Sequence, residues 1–443
     1  MRDFKRHSSN GSQDDVHDRA GQPQFLFSTR SIGSQFPEED ASEAIMSFSD
    51  LRYLPSFTLA DIRELFSLTI HPTQGPGYGH FSLQRAYHSF VQYPRLSAAE
   101  LSQMRASYST LGRANKHVGY KIGYPRKLDR LREVTARNTV ITNAIAHLAR
   151  EEFPVLHDSS SINTNSADLG RVRESLKHFV RDWSEDGAYE RGRIFAPILE
   201  VLRTVDPEAR PAKKILVPGC GLGRLAWDIS QLGFDTTANE LSFFMSLAFR
   251  FLLSRKTTAS VNEHTLHPYA HWFSHQRSND SLFRPISFPD VIPRLGPNFR
   301  LVEEDFMKLI IPSRTSGRQS TFSWSRGTNS QEYLDGYDFI VTLFFIDTSL
   351  DVLATMTHIH NLLRPGGTWM NLGPLLWTGG AQAKVELSLE EVLQAAEEIG
   401  FIIETEEEGP TARRTVECEY TGDKNAMMRW IYKAEFWVAR KLK

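Results

Sequence analysis

Four short apolar runs, each closed by a turn residue or an acid, frame the second half of this chain. Ile215-Leu216-Val217-Pro218 stops at Gly219, and Phe234 to Ala238 leads to Glu240. Phe299-Arg300-Leu301-Val302 ends in Glu303-Glu304-Asp305-Phe306, and Tyr337 to Thr342 runs into Leu343-Phe344-Phe345-Ile346-Asp347. Runs this short, bounded by turn signals, read as strands buried in a parallel sheet. Apolar residues at helical spacing separate them in Arg224–Ile229, Ser242–Leu253 and Leu350–Leu363. The alternation predicts an α/β fold with an open parallel sheet. After the last helix, Arg364-Pro365-Gly366-Gly367 should turn the chain into a strand over Thr368–Leu372. Upstream the pattern changes to helix. From Asp61 to Ala149 helical spacing dominates, with Ser97-Ala98-Ala99-Glu100 expected as a capping box and a charged helix over Arg126–Ala149.

These patterns divide the chain into a disordered tail rich in Ser, Asp, Gln and Gly (1–45), a helical N-terminal region (46–156), a linker (157–168) and the sheet domain (169–443). Insertions are expected near 254–300 and 313–334, the second with loop composition, and no internal repeat is visible.

The chemistry concentrates at the first turn. Gly219, Gly221 and Gly223 follow the first strand, and Glu240 closes the second. In an open parallel sheet ligands bind outside such strand ends. Glycines let the backbone approach a ligand, and an acid about 20 residues on can accept ribose hydroxyls. The unit therefore suits a nucleoside-containing cofactor. A dinucleotide site wants G-x-G-x-x-G, whereas G-x-G-x-G resembles the first motif of class I S-adenosylmethionine-dependent methyltransferases. An unrelated loop in an α/β protein is the plain alternative for the glycines alone. The later "strand, helix, LRPGG, strand" order is similar to the same superfamily, whose Rossmann-like sheet would here carry a helical N-terminal extension.

Longer blocks narrow the resemblance. Phe179-Val180-Arg181-Asp182-Trp183-Ser184, Val217 to Trp227, Asn239 to Met245, Arg284 to Asp290, Phe344 to Thr348 and Asn371 to Leu376 follow in order. Together they resemble the carnosine N-methyltransferase family, which methylates an imidazole nitrogen of carnosine to give anserine. The resemblance implies S-adenosylmethionine as cofactor, contacted by His178 (usually a glutamine there), Arg181, Gly219, Gly221, Gly223 and Glu240, with Asp305 and Phe306 beside the adenine. On the substrate side it implies Asp347 as the catalytic and substrate-binding carboxylate, with Tyr420, Trp430 and Tyr432 as aromatic walls. Read without the resemblance, Arg181 could pair with Asp182 or Glu185, Asp347 could cap the following helix, and the aromatic residues could be ordinary core. After Gly373-Pro374-Leu375-Leu376 the family continues with an aromatic residue and a histidine, and this chain has Trp377 and Thr378. A hydroxyl does not reproduce an imidazole's reach or its proton transfer near neutral pH.

Composition excludes several classes. A formal charge of −2 over 443 residues implies no field for nucleic acid or membrane surfaces. Lys121, Arg126, Lys127, Arg130 and Arg132 are expected to form a solvated helix face. Cys220 and Cys418 are the 2 cysteines, too few for a disulfide scaffold, which fits a reducing compartment: the cytoplasm, with the nucleus as a second location. No apolar stretch approaches a membrane span, and Met1 to His7 lack the apolar core of a signal peptide. His264, His267, His271 and His275 recur in the insertion without a metal-ligand motif, so no metal is expected. The expected partner is a small histidine-containing dipeptide, and a homodimer is one candidate assembly. Two other readings stay open: a related N-methyltransferase acting on another small peptide or peptide-derived metabolite, and a cofactor-binding protein without catalysis.

Overall fold

A computed structural model of the chain describes Gly79 and residues 81–157, 162–311, 336–377 and 382–442. The expected tail at 1–45, the segment 313–334 and Thr378 lie outside the described residues.

The apolar runs become β1 (Lys214–Pro218), β2 (Asp235–Asn239), β5 (Phe299–Val302) and β6 (Tyr337–Leu343). They join β7 (Leu363–Gly373), β8 (Phe401–Ile403), β9 (Arg414–Cys418) and β10 (Tyr432–Lys441) in one eight-stranded sheet of order β5-β2-β1-β6-β7-β10-β8, with β9 on β10. Pairs from β5 through β7 are parallel, whereas β10 runs antiparallel to β7 and β8. This bears out the class I methyltransferase sheet, with one reversed strand near its far edge. Ile215, Leu216 and Val217 are buried, as a central strand covered on both faces requires. The chain order switches direction beside β1, between β2 and β6, and there the strand ends open a crevice.

Pro365-Gly366-Gly367 does not turn the chain between elements as expected. Strand β7 is already paired at Leu363 with Tyr337, and the next pair joins Thr368 to Phe339. Residues 364–367 therefore bulge out of a continuous strand, with Gly366 at φ 72°.

Three N-terminal helices lean on this sheet domain: α1 (Leu83–Ser109), α2 (Arg113–Lys121) and α3 (Tyr124–Glu152). The capping box expected at Ser97 is absent, because α1 starts fourteen residues earlier, capped by Ser82, and runs through Ser97. Helical spacing of the buried Phe90, Tyr93 and Leu101 carries it past that point. Glu100 instead pairs with Arg173. Next, α4 (Ser166–Trp183) opens with a capping box in which Asn165 and Asp168 satisfy each other's backbone amides. The sheet is then flanked by α5 (Ala188–Arg203), α6 (Arg224–Gln231), α7 (Phe243–Leu253), α9 (Val352–Leu362) and α10 (Leu389–Ile399), whereas the one-turn α8 (Asn279–Leu282) packs on α1 and α3.

The insertion after α7 folds over α3 through the hairpin β3 (His264–Leu266) and β4 (Ile286–Phe288). Asn138 of α3 holds it by two bonds, to the His267 carbonyl at 3.0 Å and from the His267 amide at 2.7 Å. The basic face of α3 is not simply solvated: Lys127 lies 4.0 Å from the Phe273 ring centre, and Arg130 pairs with Asp280 at 2.9 Å. The four insertion histidines diverge. His264 packs between Phe251 and Phe288, His267 donates to the Phe283 carbonyl, and His271 accepts from Arg173. Among the described residues no cluster of metal-ligating side chains occurs, and no helix is long and apolar enough to cross a membrane.

Candidate functional site

Above the carboxyl ends of β1, β2 and β6 lies a cavity of about 490 Å³. Its floor is the glycine turn. Gly219, Gly221 and Gly223 adopt φ values of 60°, 58° and 73°, which side-chain-bearing residues rarely accept. Each glycine answers a different neighbour. A Cβ on Gly219 would lie 2.6 Å from the Phe345 ring, and one on Gly223 would lie 2.4 Å from the Phe249 ring. Gly223 thus lets α6 close onto α7 and does not line the cavity, which corrects its expected place among the cofactor contacts. At Gly221 the nearest atom is the Arg181 guanidinium at 3.6 Å, so this glycine leaves room above the turn.

Glu240 at the end of β2 faces the same space. Its carboxylate accepts from the Gly221 amide at 2.8 Å and the Ser242 amide at 2.9 Å. Burial pushes its pKa up, and the amides counter only part of that. Behind it, the Asn239 amide donates to the Val302 and Glu304 carbonyls. That anchor brings Asp305 and Phe306 to the cavity rim, where Asp305 caps the following turn through the Met307 amide.

Helix α4 supplies the opposite wall. His178 donates from Nδ1 to the Glu174 carbonyl at 2.9 Å, and burial pushes its pKa down. The ring is therefore neutral, leaving Nε2 to accept from the Tyr420 hydroxyl at 3.4 Å. Arg181 is buried behind it and, unlike the expectation for a direct cofactor contact, lines a neighbouring cavity with Lys177 and Glu190 and not this one. The guanidinium is bidentate to Asp182 at 2.7 and 3.0 Å, and its carbon lies 4.5 Å from the Tyr420 ring centre. Its remaining nitrogen, Nη1, is buried with no hydrogen-bond partner among the described residues. An orphaned guanidinium nitrogen beside an open glycine fits a carboxylate ligand better than it fits a finished salt bridge.

The far wall joins Phe344, Asp347, Leu376, Tyr420 and Tyr432. Phe344 holds φ 49°, with its ring stacked on Tyr420 at 4.6 Å and edge-on to Tyr432 at 5.6 Å. A bulky residue held in the left-handed region is strain of the kind that collects at functional sites. Asp347 is 5% exposed and accepts from the Leu376 amide at 3.0 Å. Burial, opposed by backbone amides, pushes its pKa up to about 7. The alternative that Asp347 caps α9 falls away, because Asp351 does so through the Ala354 amide.

Trp430 is not brought to this wall. It is 45% exposed and outside the cavity lining, since β10 takes up its ladder only at Tyr432. Trp377 is buried, with its indole nitrogen donating to the Leu387 carbonyl at 3.0 Å. Phe344, Phe345, Arg171 and Glu174 line the cavity without having been singled out as site residues. The spacing of Arg171 and Glu174 before His178, at two and one helical turns, was the available signal.

The arrangement can seat an adenosyl group between the glycine turn and Phe306, an amino-acid carboxylate near Arg181, and a flat second ligand against Asp347 and the tyrosines. Comparisons with known proteins identify the family. The family model described as carnosine N-methyltransferase matches residues 158–443. The mouse carnosine N-methyltransferase is 33% identical over 332 residues, covering 72% of this chain and 76% of that protein. The fission-yeast enzyme of the same name is 30% identical over 381 residues, covering 81% of this chain and 95% of the relative.

Proposed function

The chain belongs to the carnosine N-methyltransferase family, and from that membership we propose that it methylates an imidazole nitrogen of carnosine, giving anserine, with Asp347 as the residue on which transfer depends. The protein is an S-adenosylmethionine-dependent N-methyltransferase. The observation that carries the substrate reading is the buried Asp347 carboxylate, set just beyond the end of β6 among aromatic walls, where burial raises its pKa to about 7.

When bound, S-adenosylmethionine supplies the methyl group on a sulfonium, and the ring nitrogen attacks it in line as the carbon–sulfur bond breaks. Gly219, Gly221, Glu240, Asp305 and Phe306 would hold the nucleoside. Arg181 would take the methionine carboxylate on its free Nη1, with His178 beside it. Asp347 would accept the N–H of the second ring nitrogen. That bond fixes the tautomer with its lone pair toward the methyl and stabilises the positive charge that grows on the ring. The same oxygen then receives the proton that the product imidazolium must lose. Phe344, Tyr420 and Tyr432 would position the ring and exclude water. A cytoplasmic location goes with this reading.

Incubating the protein with labelled S-adenosylmethionine and a panel of imidazole dipeptides tests it. Label transferred to carnosine with matching release of S-adenosylhomocysteine is the expected result. Transfer only to other peptides would assign a related substrate, the reading that Trp377-Thr378 favours. Glu240→Ala should weaken binding of S-adenosylhomocysteine by about 1.5–3 kcal/mol in a calorimetric titration, the range for a hydrogen bond to a charged group. Thr378→His should raise kcat/KM for carnosine by the few-fold that a bond of about 0.5–1.5 kcal/mol allows. Steady-state kinetics of both proteins would show it, and an unchanged value would remove Thr378 from the substrate site.

A further inference from the structure

Helix α4 presents Arg171, Glu174 and His178 to the cavity at successive turns, so their side chains form one file along its wall. His178 is neutral, which leaves a file of one cation and one anion. Neither is needed for methyl transfer as described above. Resting on the imidazole-dipeptide reading, we infer that this wall selects a zwitterionic substrate: Glu174 takes its ammonium group and Arg171 its carboxylate.

The charge inventory of the cavity supports that division. Among the described residues that line it, the acids are Glu174, Glu240, Asp305, Asp347 and Asp351, and the one full cation is Arg171. Among the described residues an anionic substrate terminus has no other counter-charge in the cavity lining, because Arg181 lies behind His178 and Tyr420 and is paired with Asp182. Arg171 also has charge to spare. It donates to Asp168 at 3.1 Å, but Arg85 already grips both oxygens of that carboxylate at 2.8 and 2.9 Å. Two guanidiniums thus share one acid, and of the two Arg171 lines the cavity.

Glu174 is the complementary case. Its side chain is 18% exposed, and that exposure is toward the cavity. Burial disfavours its charge, yet Lys177 and its other neighbours outweigh that and hold the carboxyl below the usual range. The contacts it already makes are long: Thr421 donates at 3.3 Å and Lys177 at 3.4 Å. Lys177 is itself drawn over the Trp272 ring, 3.3 Å from its centre. A carboxylate can accept about four hydrogen bonds, so capacity remains for an ammonium donor. Glu240 and Asp347 are poorer candidates, since backbone amides hold the first on both oxygens and the second on one. Residues three apart on a helix stand about 5–6 Å from one another, and a dipeptide carries its two charges only a few bonds apart.

Three probes read the two ends separately: carnosine, its N-acetyl derivative and its C-terminal amide. Their dissociation constants would be measured on the wild type, Glu174→Gln and Arg171→Gln, each saturated with S-adenosylhomocysteine. The wild type should bind each altered probe about tenfold or more weaker than carnosine, the size expected for one charged hydrogen bond. Glu174→Gln should lose discrimination against the N-acetyl derivative alone, and Arg171→Gln against the amide alone. Retained S-adenosylhomocysteine affinity verifies folding, and Glu174→Asp should restore part of the preference. If both variants keep the wild-type ratios, or if the loss falls on S-adenosylhomocysteine instead, the assignment is overturned. Failure of the wild type to bind any of the three would overturn the dipeptide reading itself.

Discussion

Asp347→Asn should cost about 10²–10³ in kcat, the range for deleting one group that stabilises developing charge in a closed site. Binding of S-adenosylhomocysteine should hardly change, because the product carries no sulfonium and the amide keeps the shape of the acid. Stability should move the other way. The folded-state pKa of about 7 lies above the ordinary value of 3.8, so the folded protein holds this proton more tightly than the unfolded chain. The stability linked to it is complete below pH 4 and is lost as pH rises to 7. At about 1.4 kcal/mol per pH unit, ionising Asp347 costs on the order of 4 kcal/mol by pH 8. The amide has no such cost. Its advantage in urea unfolding should therefore grow between pH 4 and pH 7 and then level off. Wild-type kcat/KM should rise over the approach to pH 7 as the carboxylate forms. A cationic methyl donor beside it favours ionisation and shifts the limb in the loaded enzyme to lower pH. A variant that loses stability and activity together at pH 8 would assign Asp347 to scaffolding.

The sequence makes the floor of the site legible because its constraints are local. Gly219 and Glu240 are set by one turn and two strand ends, and a β-turn-α-β unit leaves them few places to go. Gly223 shows the limit of the same reasoning. Its role depends on Phe249, a residue of the next helix, and no spacing rule separates a glycine that admits a ligand from one that admits a ring. Trp430 and Tyr432 are two residues apart and both aromatic, yet only the second reaches the cavity, because the ladder of β10 begins there. Ser97 fits a cap pattern but lies mid-helix, since tertiary burial of Phe90, Tyr93 and Leu101 outweighs a local signal. The charged file on α4 was missed for a related reason. Arg and Glu at helical spacing are usually a solvated face, and only the sheet on the other side turns this one into a wall.

Asp290 supports the second large expectation and explains why distant motifs travel together. The residue ends the block Arg284 to Asp290, in the insertion, far from the glycine turn in sequence. Its carboxylate accepts from Arg191 at 2.5 Å and Arg224 at 2.8 Å, and its amide donates to the Trp183 carbonyl at 2.8 Å. Those two arginines hold the end of α4: Arg191 donates to the Arg181 and Ser184 carbonyls, and Arg224 donates to the Asp182 carbonyl. Trp183 completes the knot by donating to the Leu222 carbonyl inside the glycine turn. One carboxylate therefore fixes Arg181 relative to Gly221, although it touches neither. The three charged side chains are 8–13% exposed, so removing the acid leaves Arg191 without its ion-pair partner, while Arg224 keeps only Asp228, at 3.0 Å. Breaking a buried pair in this way costs about 3–5 kcal/mol. Asp290→Ala should lose that much in urea unfolding and should also bind S-adenosylhomocysteine more weakly, as Arg181 loses its fixed place. Asp290→Asn keeps an acceptor for one arginine and should fall between. The contrast with Asp347→Asn is the discriminating feature, because one acid is destabilising and catalytic while the other is stabilising and remote. Should Asp290→Ala unfold within about 1 kcal/mol of the wild type, water must reach the two arginines, and the rigid link between the insertion and the cofactor turn would be lost with it.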